Sequence, residues 1–257
     1  MKKFIVAGDL NATFFTREMR VNDFVDSYQN KLFYSRTLFN VTACIRELDK
    51  KQSPPNNLNP LRLHDQIDKL IKEYNPMYIV LCLGQFDIEF DYYYRNIIEG
   101  KNNDFFLNEL IEIYKAYILK LYQEYGVKTI IKGLNPSVLI HEQTSSYYVS
   151  QKITTYYGCG DKTKDYDLFM KVIHGVRSHE SKFARRFQLI EEFNLSLQEL
   201  AKEMKISYFN VWDKLINKET NMVELQFMPA KETHYIIDSF ITRKVHYDAL
   251  YEVISKC

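Results

Sequence analysis

The sequence has no excess of either charge, no paired cysteine spacing and no long apolar run. Its 34 basic residues are matched by 33 acidic ones, for a net charge of +1. Electrostatics therefore mark no nucleic-acid partner and no membrane surface. The local basic group Lys182, Arg185 and Arg186 is surrounded by Glu180, Glu191 and Glu192 and reads as a solvated helix face. The four cysteines, Cys44, Cys82, Cys159 and Cys257, show no CxxC pattern, which argues against a disulfide scaffold and a structural zinc site. No stretch reaches membrane-spanning length, and the apolar run after Met-Lys-Lys is shorter than a secretory core, so the expectation is a soluble cytoplasmic protein. Internal repeats, heptads and low-complexity tracts are absent, which excludes solenoids and coiled coils. The 257 residues suit one large domain, read as spanning 1–257.

What is present is an alternation of strand and helix signals. KFIVA at 3–7 reads as a buried strand, and 37–48 (TLFNVTACIREL) has helical spacing. After a Pro- and Asn-rich loop at 51–60, Asn59-Pro60 supplies a helix start for 61–74, which should stop at Asn75-Pro76. The run 77–83 (MYIVLCL) is a second buried strand. A long helix from Asp104 to about Tyr125 closes at Gly126, and the strand 127–132 follows. A helix near 181–204, a strand at 206–212 and a last helix near 243–255 complete the pattern. Such repetition predicts an α/β fold, a parallel sheet with helices on both faces. Residues 141–180 break the rhythm. Rich in Ser, Thr and Tyr, they are read as an insertion or lid over the pocket.

Two strand ends stand out. The first strand stops at Gly8-Asp9-Leu10-Asn11 and the second at Gly84-Gln85-Phe86-Asp87. Parallel strands that each deliver a glycine and a carboxylate at their C-terminal ends are where an α/β fold places its pocket.

These residues resemble the SGNH/GDSL hydrolases. FIVAGDLNATFF at 4–15 is similar to that family's strand followed by Gly-Asp-Ser, and VLCLGQFDI at 80–88 to its third block in the Gly-Glu-Ile-Asp variant. IIKGLNP at 130–136 and the segment 193–215 resemble the later strand, loop and helix in the same order. The resemblance implies a three-layer, doubly wound, flavodoxin-like sheet and an ester or acylated glycan as ligand, with no cofactor and no metal. It also locates departures. Leu10 falls where the nucleophilic serine would be, and a Leu side chain has no lone pair for a base to activate. Phe86 falls where an asparagine would donate to an oxyanion, a loss of about 100- to 1000-fold in rate. The second-block glycine has no counterpart near 34–40, and Thr13 is the nearest alternative hydroxyl. In the last block His234 has Glu232 two residues before it, in place of an acid three before.

Two functions follow. In the first, Asp9, Asp87 and the Glu232–His234 pair activate water directly on an ester bound over Gly8, Leu10, Asn11, Gly84, Gln85 and Phe86. In the second, the chain is a non-catalytic pseudoenzyme that keeps the cleft for a small-molecule, glycan or protein ligand. The Tyr clusters 92–94 and 156–157 are candidates for a sugar-facing rim. Of the remaining histidines, His246 reads as packed or surface, while His174 and His179 with Glu180 have a metal-like spacing without a third ligand. Gly-Asp-Leu-Asn also resembles the Gly-Asp-x-Asn of metal-dependent phosphoesterases, but it begins at residue 8 and no Ser-Asp-His follows.

Overall fold

The computed structural model describes residues 2–16, 33–40, 43–49, 62–100, 103–178, 183–231 and 233–256. Five parallel strands, β1 (Lys2–Gly8), β2 (Phe33–Phe39), β3 (Tyr78–Cys82), β4 (Lys128–Lys132) and β5 (Ser207–Phe209), lie in the order β2-β1-β3-β4-β5. This is the doubly wound order. It reverses between β1 and β3, so a crevice opens beyond their C-terminal ends. A short antiparallel pair, β6 (Ile216–Asn217) and β7 (Met222–Val223), lies apart from the sheet.

The period-two alternation of the strands divides the interior into two cores. Ile5, Ala7, Ile79, Leu81 and Ile131 face one side. There they pack with α1 (Leu63–Tyr74), α3 (Asn103–Tyr125) and α6 (Phe183–Met204) through residues such as Ile67, Tyr114 and Phe193. Phe4, Val6, Val80 and Ile130 face the other side, against α8 (Phe240–Ile254) through Tyr247, Leu250 and Ile254. The predicted helix ends hold. Asn75 closes α1 in the left-handed conformation (φ 46°), and Gly126 closes α3 (φ 65°). The N-terminal cap expected at Asn59-Pro60 lies outside the described residues.

Two segments differ from expectation. The helix expected at 37–48 is β2 followed by a short 3-10 turn, Ile45–Leu48. The strand expected at 206–212 ends at Phe209, and Trp212–Leu215 forms a one-turn helix, α7. The excursion at 141–180 is mostly helical, with α4 (Glu142–Tyr157) and α5 (Lys162–Val176) packed against each other. The remaining short helix, α2 (Tyr92–Ile97), continues a π-turn at Asp87–Asp91 that contacts α4. Arg186, read as solvated, is 1 % exposed and donates to the Leu139 carbonyl at 2.6 Å.

Candidate functional site

The crevice is built where β1 and β3 end side by side. Gly8 pairs with Cys82, and the Asp9 amide donates to the Cys82 carbonyl at 3.1 Å. The chain then turns into a 3-10 segment, Leu10–Phe15, because the Asp9 carboxylate caps it, accepting the Asn11 amide at 2.8 Å. Burial pushes the Asp9 carboxyl up, opposed by the Asn11 amide and by the charge of Lys132. Its second oxygen is buried with no hydrogen-bond partner.

Asn11 is tied inward as well. Asn135 donates to its side-chain oxygen at 2.8 Å, and the Asn135 oxygen accepts from Lys132 at 3.0 Å. His246 approaches that same oxygen at 3.2 Å, bonds Thr242 O at 2.7 Å and packs on Phe14. It is a packed histidine, wholly buried and held far to the neutral side. This buried chain joins the ends of β1 and β4 to the last helix. Lys132, inside it, is pushed down by burial.

At the second strand end Gly84 has φ +122°, a conformation that side-chain-bearing residues rarely adopt, so glycine is required there. Gln85 and Phe86 are buried. The Phe86 ring packs against Phe90 and Tyr156 at 5.3 and 5.0 Å, and Gln85 reaches Glu89 at 3.4 Å. The Asp87 carboxylate accepts the Ile45 amide at 2.9 Å, so it fastens the turn after β2. Burial, with the nearby charge of Asp91, pushes Asp87 up to about 8. A carboxyl raised from its unfolded value near 3.8 favours folding fully below that value and progressively less as pH rises to about 8. Asp87→Asn keeps an acceptor for Ile45 and removes the titration, so its denaturant midpoint should fall less than wild type's between pH 5 and about 8. Asp87→Ala should lie about 1–3 kcal/mol below Asp87→Asn at every pH, because the buried Ile45 amide also loses its acceptor.

His234 is 3 % exposed and stands apart from these carboxylates. Its Nδ1 lies 2.9 Å from the Tyr148 hydroxyl of α4, its ring is 4.5 Å from Phe90, and Nε2 is buried with no partner. Burial, reinforced by the charge of Lys152, holds it well on the neutral side. Glu232 lies outside the described residues, as do His179 and Glu180. Lys231 occupies the position three before the histidine.

A cavity of about 460 Å³ opens beside the ends of β1 and β2, lined by Leu10, Thr13, Phe14, Thr16, Phe39, Tyr235, Ile236 and Asp238, while Gly8, Asn11, Gly84, Gln85 and Phe86 are not among its lining residues. Sequence reasoning found Leu10 and Thr13 but missed the opposite wall. Tyr235 is buried, with its hydroxyl toward the Leu10 backbone N–H. Asp238 is held by Arg243 at 2.6 and 2.7 Å, and Arg243 also donates to the Thr16 carbonyl at 2.8 Å. The available signal was the Asp-x4-Arg spacing at the start of the last helix. The hydroxyls of Thr13 and Thr16 bond to the carbonyls of Leu10 and Thr13 within the turn. The tyrosine clusters belong to the interior. Tyr92 and Tyr93 are buried, Tyr94 stacks on Tyr157 at 3.9 Å, and Tyr157 donates to Asp91 at 2.6 Å.

Among the described residues no group of three or more His, Cys, Asp or Glu side chains is arranged to hold a metal, and no helix is long and apolar enough to cross a membrane.

No protein-family model and no curated protein matches the sequence. Solved structures do match. A GDSL-like lipase from Bacteroides thetaiotaomicron superposes with a TM-score of 0.54 at 10% identity, over 99% of this chain and 88% of that one. A catalytic mutant of an acetylxylan esterase from Geobacillus stearothermophilus superposes with a TM-score of 0.55 at 10% identity, over 98% of this chain and 94% of that one. At such identity the likeness is one of fold. Strand order, crevice position and these superpositions agree: the chain has the SGNH/GDSL hydrolase-like fold.

Proposed function

We propose that this protein is a non-catalytic binding protein on a hydrolase-like frame, taking the acyl portion of an ester or acylated sugar into the cavity beside Leu10. The observation that carries this reading is Leu10 itself. It lines the cavity at the position where the family resemblance puts the nucleophile. The surroundings support it. Phe14, Phe39, Tyr235 and Ile236 give the cavity apolar walls, and the Thr13 hydroxyl is engaged by the Leu10 carbonyl. Asp9 and Asp87 hold backbone amides of neighbouring turns, and His234 bonds a tyrosine hydroxyl. Direct activation of water by these groups has no such support.

Purified wild type is expected to leave p-nitrophenyl butyrate hydrolysis at the buffer rate, and so is Leu10→Ser. A serine there would still lack the asparagine donor at Phe86 and the acid at Lys231, and each such loss lowers the rate by orders of magnitude. Wild-type turnover that His234→Ala removes would overturn the proposal. Turnover gained by Leu10→Ser with a silent wild type would leave the proposal standing and place the lesion at Leu10 alone.

A further inference from the structure

A second, larger cavity, about 530 Å³, opens at the opposite, N-terminal end of the strands. It lies where β4 begins and α6 ends. Lys128 and Thr129 line it, while Lys132, four residues on, belongs to the other end of the strand, about 13 Å away. Its apolar walls include Ile118, Val127, Met204 and Ile206. Its polar groups decide what it can hold.

Thr129 is 3 % exposed, and its hydroxyl is buried without a hydrogen-bond partner. That oxygen has no surface open to the cavity, so recognition falls to the rim. Lys128 and Lys205 are exposed at the rim, and neither forms an ion pair among the described residues. Finally, Lys205 closes α6 in the left-handed conformation (φ 55°), with the Ile206 amide bonded to the Ala201 carbonyl. Glycine or asparagine suits that position far better than lysine. A lysine stands at that strained position, and the exposed residue borders the cavity.

We infer that this cavity is a second ligand site, separate from the crevice at Leu10, for a small amphipathic carboxylate. The carboxylate sits between Lys128 and Lys205, and the apolar body lies between α3 and the end of α6.

The test is a titration of naphthylacetate into isotope-labelled protein, followed by amide shifts. Saturable shifts are expected at 127–129 and 204–207, with the neutral isostere naphthylacetamide binding about three- to fivefold more weakly. Lys205→Gly relieves the backbone strain and removes the charge. It should therefore raise the melting temperature and also raise Kd about three- to fivefold, opposite effects that a merely damaged fold would not produce. Lys128→Gln should weaken binding by a similar factor without that stabilisation. Failure to saturate, equal affinity for acid and amide, or an unchanged Kd in both lysine variants would overturn the inference. So would probe-induced shifts confined to 10–16 and 235–238. Concentration-dependent shifts of the cavity amides in probe-free protein would assign the surface to a second copy of the chain and overturn it too.

Discussion

Arg46→Ala is expected to lower stability by about 3–5 kcal/mol, read as a drop in the urea midpoint. Arg46 is 3 % exposed and binds two carboxylates, Asp91 through Nε at 2.8 Å and Glu109 through both terminal nitrogens at 2.7 and 2.9 Å. Removing it leaves the buried Asp91 with less compensation, although Arg95 and the Tyr157 hydroxyl remain beside it. The loss would spread to the crevice, since Arg46 shares its turn with Ile45, the amide held by Asp87. Without the arginine charge Asp87 should rise further, steepening the decline in stability toward alkaline pH. Arg46→Lys should recover only part of the deficit, because an ammonium cannot reproduce the two-pronged contact with Glu109. A loss under about 1 kcal/mol for Arg46→Ala would mean that water reaches this cluster and that it does not organise the strand ends.

Gly8→Ala should be nearly as damaging, at least about 3 kcal/mol. A methyl group on Gly8 would meet the Cys82 carbonyl oxygen at 2.1 Å, and that oxygen belongs to the backbone of the adjoining central strand. Neither strand can withdraw, because each is buried among its neighbours. The same carbonyl accepts the Asp9 amide, so the turn that carries Leu10 into the cavity would move with it. Circular dichroism melting with an amide spectrum would check this. A variant with wild-type stability would show β1 and β3 to be further apart at this point than described.

The legible parts of the fold share a cause. β1, β3 and β4 are central strands covered on both faces, so they read as nearly continuous apolar runs. β2 escaped because it is an edge strand, with Arg36 and Phe39 exposed. The apolar positions that follow it, at Ala43, Cys44, Ile45 and Leu48, imitate helical spacing. The sequence marks 141–180 only as a break in the strand–helix rhythm, because Ser, Thr and Tyr are mediocre helix formers and disguise α4 and α5. Some hydroxyls of α4 bond back inside the helix, Ser150 on Ser146 O at 2.7 Å and Thr154 on Ser150 O at 2.9 Å. The small side chains of Ser145, Ser146 and Ser150 are buried in its packed face.

At the crevice, Gly8, Asp9, Gly84 and Asp87 were found because strand ends with glycine and carboxylate are distinctive. Their tasks were not readable, because a carboxylate that caps a turn and one that activates water look alike in sequence. Tyr235 and Asp238 come from a segment distant along the chain, and only the packing of α8 brings them opposite Leu10.

The most direct test of the central claim follows ethyl hexanoate and the labelled protein in one NMR sample. The account predicts that amides of 10–16 and 235–238 shift saturably while the ester signals persist unchanged. Ester signals that decay into hexanoate and ethanol at a rate abolished by His234→Ala would contradict it.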